Sequence, residues 1–134
     1  MMEDIDRPEV KDIAMAVVPK ANELALPEWN SFLINMKDQP IEGVLVSSRG
    51  YGKKSDAAVK TSELRHFLDV LPPKSYRQVE LIPDELLGLT NQYWVSFYVE
   101  GVMYDKKYLF MPGSIQEENL TTVPIINQKG ILII

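Results

Sequence analysis

Apolar and aromatic residues fall along this chain in short runs, with Pro, Gly, Asn and Asp standing between them. Short runs bounded by turn residues predict strands. Residues 12–18, DIAMAVV, predict a strand ending at Pro19, and 20–28 a connection. WNSFLINMK (29–37) and IEGVLVSS (41–48) flank Asp38-Gln39-Pro40, which predicts a β-hairpin. SYRQVELI (75–82) predicts a further strand. Residues 83–88 begin with proline and end with glycine, which predicts one helical turn opened by the charges of Asp84 and Glu85.

The period changes over 61–71. Leu64, Phe67, Leu68 and Leu71 recur at helical spacing. Thr61 stands where an N-cap would, Glu63 suits a first turn, and Pro72-Pro73 would stop a helix. An amphipathic helix over 61–71 is therefore expected, with Arg65 and Asp69 paired along its surface. The strongest β signal comes from QYWVSFYV (92–99) and VMYDKKYLFM (102–111), separated by Glu100-Gly101. With that pair as the loop, Val99, Phe97, Val95 and Tyr93 oppose Val102, Tyr104, Lys106 and Tyr108 on one face. Tyr98–Met103, Ser96–Asp105 and Trp94–Lys107 fall on the other, where Lys107 can stack on Trp94. The first face belongs to the core. The second is either a further core layer, the preferred reading, or an uncovered aromatic contact surface.

These elements predict a mainly β chain, an antiparallel β-sandwich of immunoglobulin-like outline with one helix at 61–71. The alternative is a single antiparallel sheet with the helix on one face. The length of 134 residues suits one domain, 1–134, with a loose acidic arm at 1–11 and an apolar tail or hairpin at 120–134. Within that tail NQKG (127–130) reads as a hairpin turn. The terminal ILII is expected to tuck into the sheet, and otherwise to contact a second subunit.

The chain has no cysteine, which removes disulfides, thiol catalysis and thiolate metal sites and suggests a cytoplasmic setting. The acidic start MMEDIDRPEVKD lacks the apolar run of a secretory signal. No apolar stretch reaches the roughly 20 residues that span a bilayer, so no membrane role is expected. The net charge of −5 argues against a general nucleic-acid binder. Yet residues 49–77 carry +4 against −9 for the rest. That basic stretch reads first as a solvated loop and helix face, and second as a local patch. SSRGYGKKS (47–55) has the wrong glycine spacing for a phosphate-binding P-loop and reads as a mobile Gly-rich basic loop over 47–54. His66, the single histidine, is expected on the polar side of the helix beside Glu63 and Asp69. No catalytic constellation, metal set or cofactor motif is apparent.

Three segments together carry a resemblance: INMKDQPIEGVLVSSRGYG (34–52), KTSELRHFL (60–68) and QYWVSFYVEGVMYDKKYLF (92–110). They resemble a family of small uncharacterised bacterial proteins, some labelled as related to the phenylalanyl-tRNA synthetase β subunit. The resemblance covers roughly residues 28–115. It implies no catalytic residues and admits an RNA-linked role. The leading expectation is a non-catalytic module that binds a protein partner or a second copy of itself. Its candidate residues are Arg49, Tyr51, Lys53, Lys54, Trp94, Tyr98 and Lys107. The alternatives are an RNA-contacting accessory protein using the same cations and aromatics, and a small enzyme using His66.

Overall fold

The computed structural model describes residues 8–134. Residues 1–7 of the expected acidic arm lie outside the described residues, and Val10 packs against the main core. Ten strands follow in chain order: β1 (Ile13–Ala21), β2 (Pro27–Asn35), β3 (Ile41–Lys54), β4 (Ala57–Lys60), β5 (Leu64–Leu71), β6 (Ser75–Ile82), β7 (Thr90–Val99), β8 (Val102–Phe110), β9 (Thr121–Val123) and β10 (Gln128–Ile133). They form two antiparallel sheets, neither closed. The first runs β6-β2-β1-β10-β9. The second runs β3-β7-β8, with β4 and β5 in tandem along the other side of β3.

The facing sides of the sheets share one core. Ile13, Met15, Val17, Trp29 and Leu33 of the first meet Val44, Val46, Tyr93, Val95, Phe97 and Tyr108 of the second. The opposite face of β1 is covered as well, because Ala14, Ala16 and Val18 cluster with Ile34, Val123 and Ile126. A strand buried on both faces reads as a continuous apolar run, and IAMAVV is one.

Several expectations are corrected. Among the described residues there is no α-helix: residues 64–71 form β5. An isolated helix of that length is marginal, since about 12–15 residues are needed even for good helix formers. As a strand the segment satisfies the edge of β3, pairing from Ile41↔Leu71 to Ser48↔Leu64. The apolar stripe is thereby split. Leu71 is buried, whereas Leu64 and Phe67 are exposed. Thr61 caps no helix; its Oγ1 accepts from the Gly50 N–H at 2.8 Å.

The runs at 29–37 and 41–48 are not a hairpin, because β2 and β3 belong to different sheets. Asn35 holds the crossing. Its buried Nδ2 donates to the carbonyls of Gln39 (2.9 Å), Leu71 (3.1 Å) and Pro72 (3.0 Å). The first hairpin lies earlier, with β1 and β2 paired through Pro19↔Trp29 as far as Ala21↔Pro27. Pro19 is tolerated because β10 pairs β1 only over Met15–Val17, leaving no ladder bond for it to break. Residues 47–54 are no loop but the second half of β3, and the turn comes at Ser55-Asp56, with φ of 50° and 65°. The last hairpin turns over 124–127, so of NQKG only Asn127 lies in the turn and Gln128 already opposes Val123. The β7–β8 register is the one that Glu100-Gly101 predicts, from Val99↔Val102 to Tyr93↔Tyr108.

No ladder joins β5 to β6, the neighbouring edges of the two sheets. Side chains bridge this seam instead. The Arg77 guanidinium donates from Nη1 to the Leu68 carbonyl (3.2 Å) and from Nη2 to the Val70 carbonyl (3.1 Å).

Candidate functional site

Residues directly opposite on paired strands share a face. On the second sheet, one row across the outer face is therefore Arg65, Ser47, Trp94 and Lys107. The next is Phe67, Leu45, Ser96 and Asp105. On the other side of the Trp94 row lie Arg49, Gln92 and Leu109. Tyr98 and Met103 pair beside Gly43, whose φ of +56° bends β3 where the Tyr98 ring approaches it. Among the described residues no element packs over the Phe67, Trp94, Tyr98 and Met103 part of this face, although Gln92 at its margin is buried. Phe67 is 66% exposed, Met103 51%, Tyr98 43% and Trp94 40%, where isolated core aromatics would be near zero. The preferred expectation of a second core layer is thus overturned, because the segment expected to cover the sheet as a helix has joined it as β5.

The face is organised by local contacts. Lys107 Nζ sits 4.6 Å from the Trp94 ring centroid. The Trp94 indole N–H donates to Asp105 Oδ2 at 3.3 Å. The Arg49 guanidinium lies 5.4 Å from the Tyr51 ring centroid, two residues along the same side of β3. Of the expected site residues, Arg49, Tyr51, Trp94, Tyr98 and Lys107 therefore share the outer face. Lys53 and Lys54 stand at the exposed tip of the β3–β4 hairpin instead. Sequence reasoning missed Phe67 and Arg65, because a helical assignment hides which strand face they occupy. It also missed Leu45 and Leu109, whereas Met103 was placed opposite Tyr98 as found.

A second polar constellation lies in the seam. His66 does not meet Glu63 or Asp69: its Nε2 lies 2.7 Å from Glu80 Oε1 on β6. Arg65 and Asp69 are separated by about 13 Å along a strand, so no helix-type pair forms. Ser48 Oγ donates to the same Glu80 oxygen at 2.8 Å, and the Tyr93 hydroxyl donates to Oε2 at 3.1 Å. Burial first, and then the Glu80 charge, push the Tyr93 hydroxyl pKa far above the usual tyrosine value. Burial alone raises Tyr108, whose hydroxyl donates to the Ile13 carbonyl at 2.6 Å. Ser48 and His66 each bond the carboxylate rather than one another. The cluster is a clamp on Glu80, not a nucleophile–base pair.

Among the described residues no group of His, Asp and Glu could hold a metal ion, and no helix is long and apolar enough to cross a membrane. No family model, curated protein or solved structure matches the chain.

Proposed function

We propose that this chain is a β-sandwich interaction module of immunoglobulin-like outline that docks a protein segment on the outer face of its second sheet. Strand order supports the outline. With β1, β2, β3, β5, β6, β7 and β8 as the seven strands, the fifth, second and first lie in one sheet and the fourth, third, sixth and seventh in the other. An immunoglobulin constant domain has the same order except that its fourth strand sits beside the fifth. The cysteine-free composition accords with a cytoplasmic setting.

One observation carries the docking reading: an uncovered face that joins Trp94, Tyr98, Phe67 and Met103 to Arg49 and Arg65. Aromatics, methionine and arginine are the residues enriched at protein interfaces, and Trp, Tyr and Arg are the usual hot spots. RNA stacking is the competing reading, in line with the family label. It is disfavoured because Asp105 bonds Trp94 in the middle of the face and Glu42 lies opposite Tyr98.

The test is a pull-down from native lysate, with and without RNase, of wild type beside a Phe67→Ala/Trp94→Ala variant. A protein that survives RNase and is lost in the variant is the expected result. RNA retained by wild type and lost in the variant would transfer the face to the RNA reading. Equal recovery by both chains would end the assignment of the face.

A further inference from the structure

A cavity of about 240 Å³ opens between the end of β6 and the middle of β3, touching the docking face only at Arg49 and Gln92. Its apolar walls are Leu64, Leu81, Pro83 and Leu86. At about 30 Å³ per water it has room for a small organic molecule. The polar lining has one bias, which follows from where each proton goes. Ser48 and Tyr93 give their hydroxyl protons to Glu80. Thr61 gives its own to the Ser62 carbonyl. Asn91 Nδ2 donates to the carbonyls of Leu86 (2.9 Å) and Leu89 (3.3 Å). Arg49 reaches the rim from the outer face, where its guanidinium lies 5.4 Å from the Tyr51 ring centroid, and is not part of the inner wall. Gln92 lies opposite Arg49 and so shares the outer face, and Ser62 is exposed at the mouth.

The donors of the inner wall are thus spent within the protein, and what remains are acceptors. A carboxylate offers about four lone-pair sites. Ser48, His66 and Tyr93 fill three of those on Glu80, whose side chain is 17% exposed. The Asn91 carbonyl oxygen is a further acceptor. We propose that this cavity binds a small primary amine in its ammonium form, with the charge on Glu80 and the alkyl body against Leu64, Leu81 and Leu86. An ammonium group has three donors and no acceptor, which complements such a lining. A carboxylate ligand would meet the Glu80 charge and find no unspent donor on the inner wall.

The test is titration of the full chain with n-butylamine, n-butanol or sodium butyrate near neutral pH, followed by amide NMR. Butylammonium is expected to shift the Gly50, Asn91 and Tyr93 signals saturably, with a Kd on the order of millimolar, as suits a ligand of few heavy atoms. Butanol should bind roughly tenfold more weakly, and butyrate should leave the signals in place. Glu80→Gln should abolish the preference for amine over alcohol. Leu86→Phe fills the apolar end while keeping the carboxylate, and should weaken amine and alcohol together. It decides the question should Glu80→Gln fail to fold. Butyrate or butanol binding as tightly as the amine would overturn the proposal. So would the lack of saturable shifts, or amine binding unchanged in Leu86→Phe.

Discussion

Replacing Asn35 with alanine should detach the corner at which the chain passes from one sheet to the other. Asn35 is fully buried. Its Nδ2 shares two hydrogens among three carbonyls, and its Oδ1 accepts the Lys37 N–H at 2.9 Å. The Leu71 bond is wholly buried, so its loss leaves a carbonyl that water cannot reach. That costs about 1–2 kcal/mol, and the three part-buried groups, which can hydrate, cost about 0.5 kcal/mol each. The total is about 3 kcal/mol. With a urea m-value of roughly 1.5–2 kcal/mol per M for a domain of this size, the midpoint should fall by about 1.5–2 M. Urea unfolding followed by far-UV circular dichroism and by the fluorescence of buried Trp29 measures it. The control is Asn30→Ala, which removes only an exposed bond from Gln78 Nε2 and should cost under about 0.5 kcal/mol. Asn35→Asp should be at least as damaging as alanine, because an ionised carboxylate turns acceptors toward three carbonyls. Coincident midpoints for Asn35→Ala and Asn30→Ala would refute the corner argument.

Alkali should unfold the chain through Tyr93 and Tyr108. Both hydroxyls have raised pKa values in the folded state, whereas the unfolded chain ionises near the ordinary value of about 10. Below that pH both states keep their protons and stability is complete. Above it the unfolded state alone releases them, so stability should fall by about 1.4 kcal/mol per pH unit for each tyrosine. Urea midpoints measured across that window should show the slope, and a Tyr93→Phe/Tyr108→Phe variant should lose it. Gly130→Ala should destabilise by about 2 kcal/mol or more on thermal unfolding, because its Cβ would lie 2.8 Å from the Val17 carbonyl oxygen. Gly88→Ala, with nothing within 4 Å of the new Cβ, is the matched control and should be close to neutral. Trp94→Phe should cost under about 1 kcal/mol and leave a blue-shifted emission from Trp29 alone, since Trp94 is the exposed member of the pair.

Where a local signal determined the outcome, the sequence was legible. Glu100-Gly101 adopts φ of 50° and 78°, the primed turn that two such residues favour, and the register of β7 and β8 follows from it. Residues 61–71 were not legible, since the same four apolar residues fit a helix stripe and a strand beside β3, and only the need to pair that edge decides. The basic segment misled for a related reason. Gly50 and Gly52 read as part of a mobile loop, whereas both lie within β3 and pack against Leu89. Of the candidate site, alternation in β7 showed which aromatics share a face, but not that the face is uncovered. The Phe67 and Arg65 half waited on β5, and the Glu80 clamp joins residues from four strands that share no local pattern.

The Arg77 bridge across the seam also bears on what the open edge of β5 presents to other chains. An open sheet edge invites a foreign strand, which would bond the same backbone groups that a native neighbour would. The guanidinium holds the Leu68 and Val70 carbonyls, alternate residues on the exposed edge of β5, so an incoming strand would first have to displace a charge. One arginine thus guards against fibre-like stacking at the point where two sheets meet without a ladder.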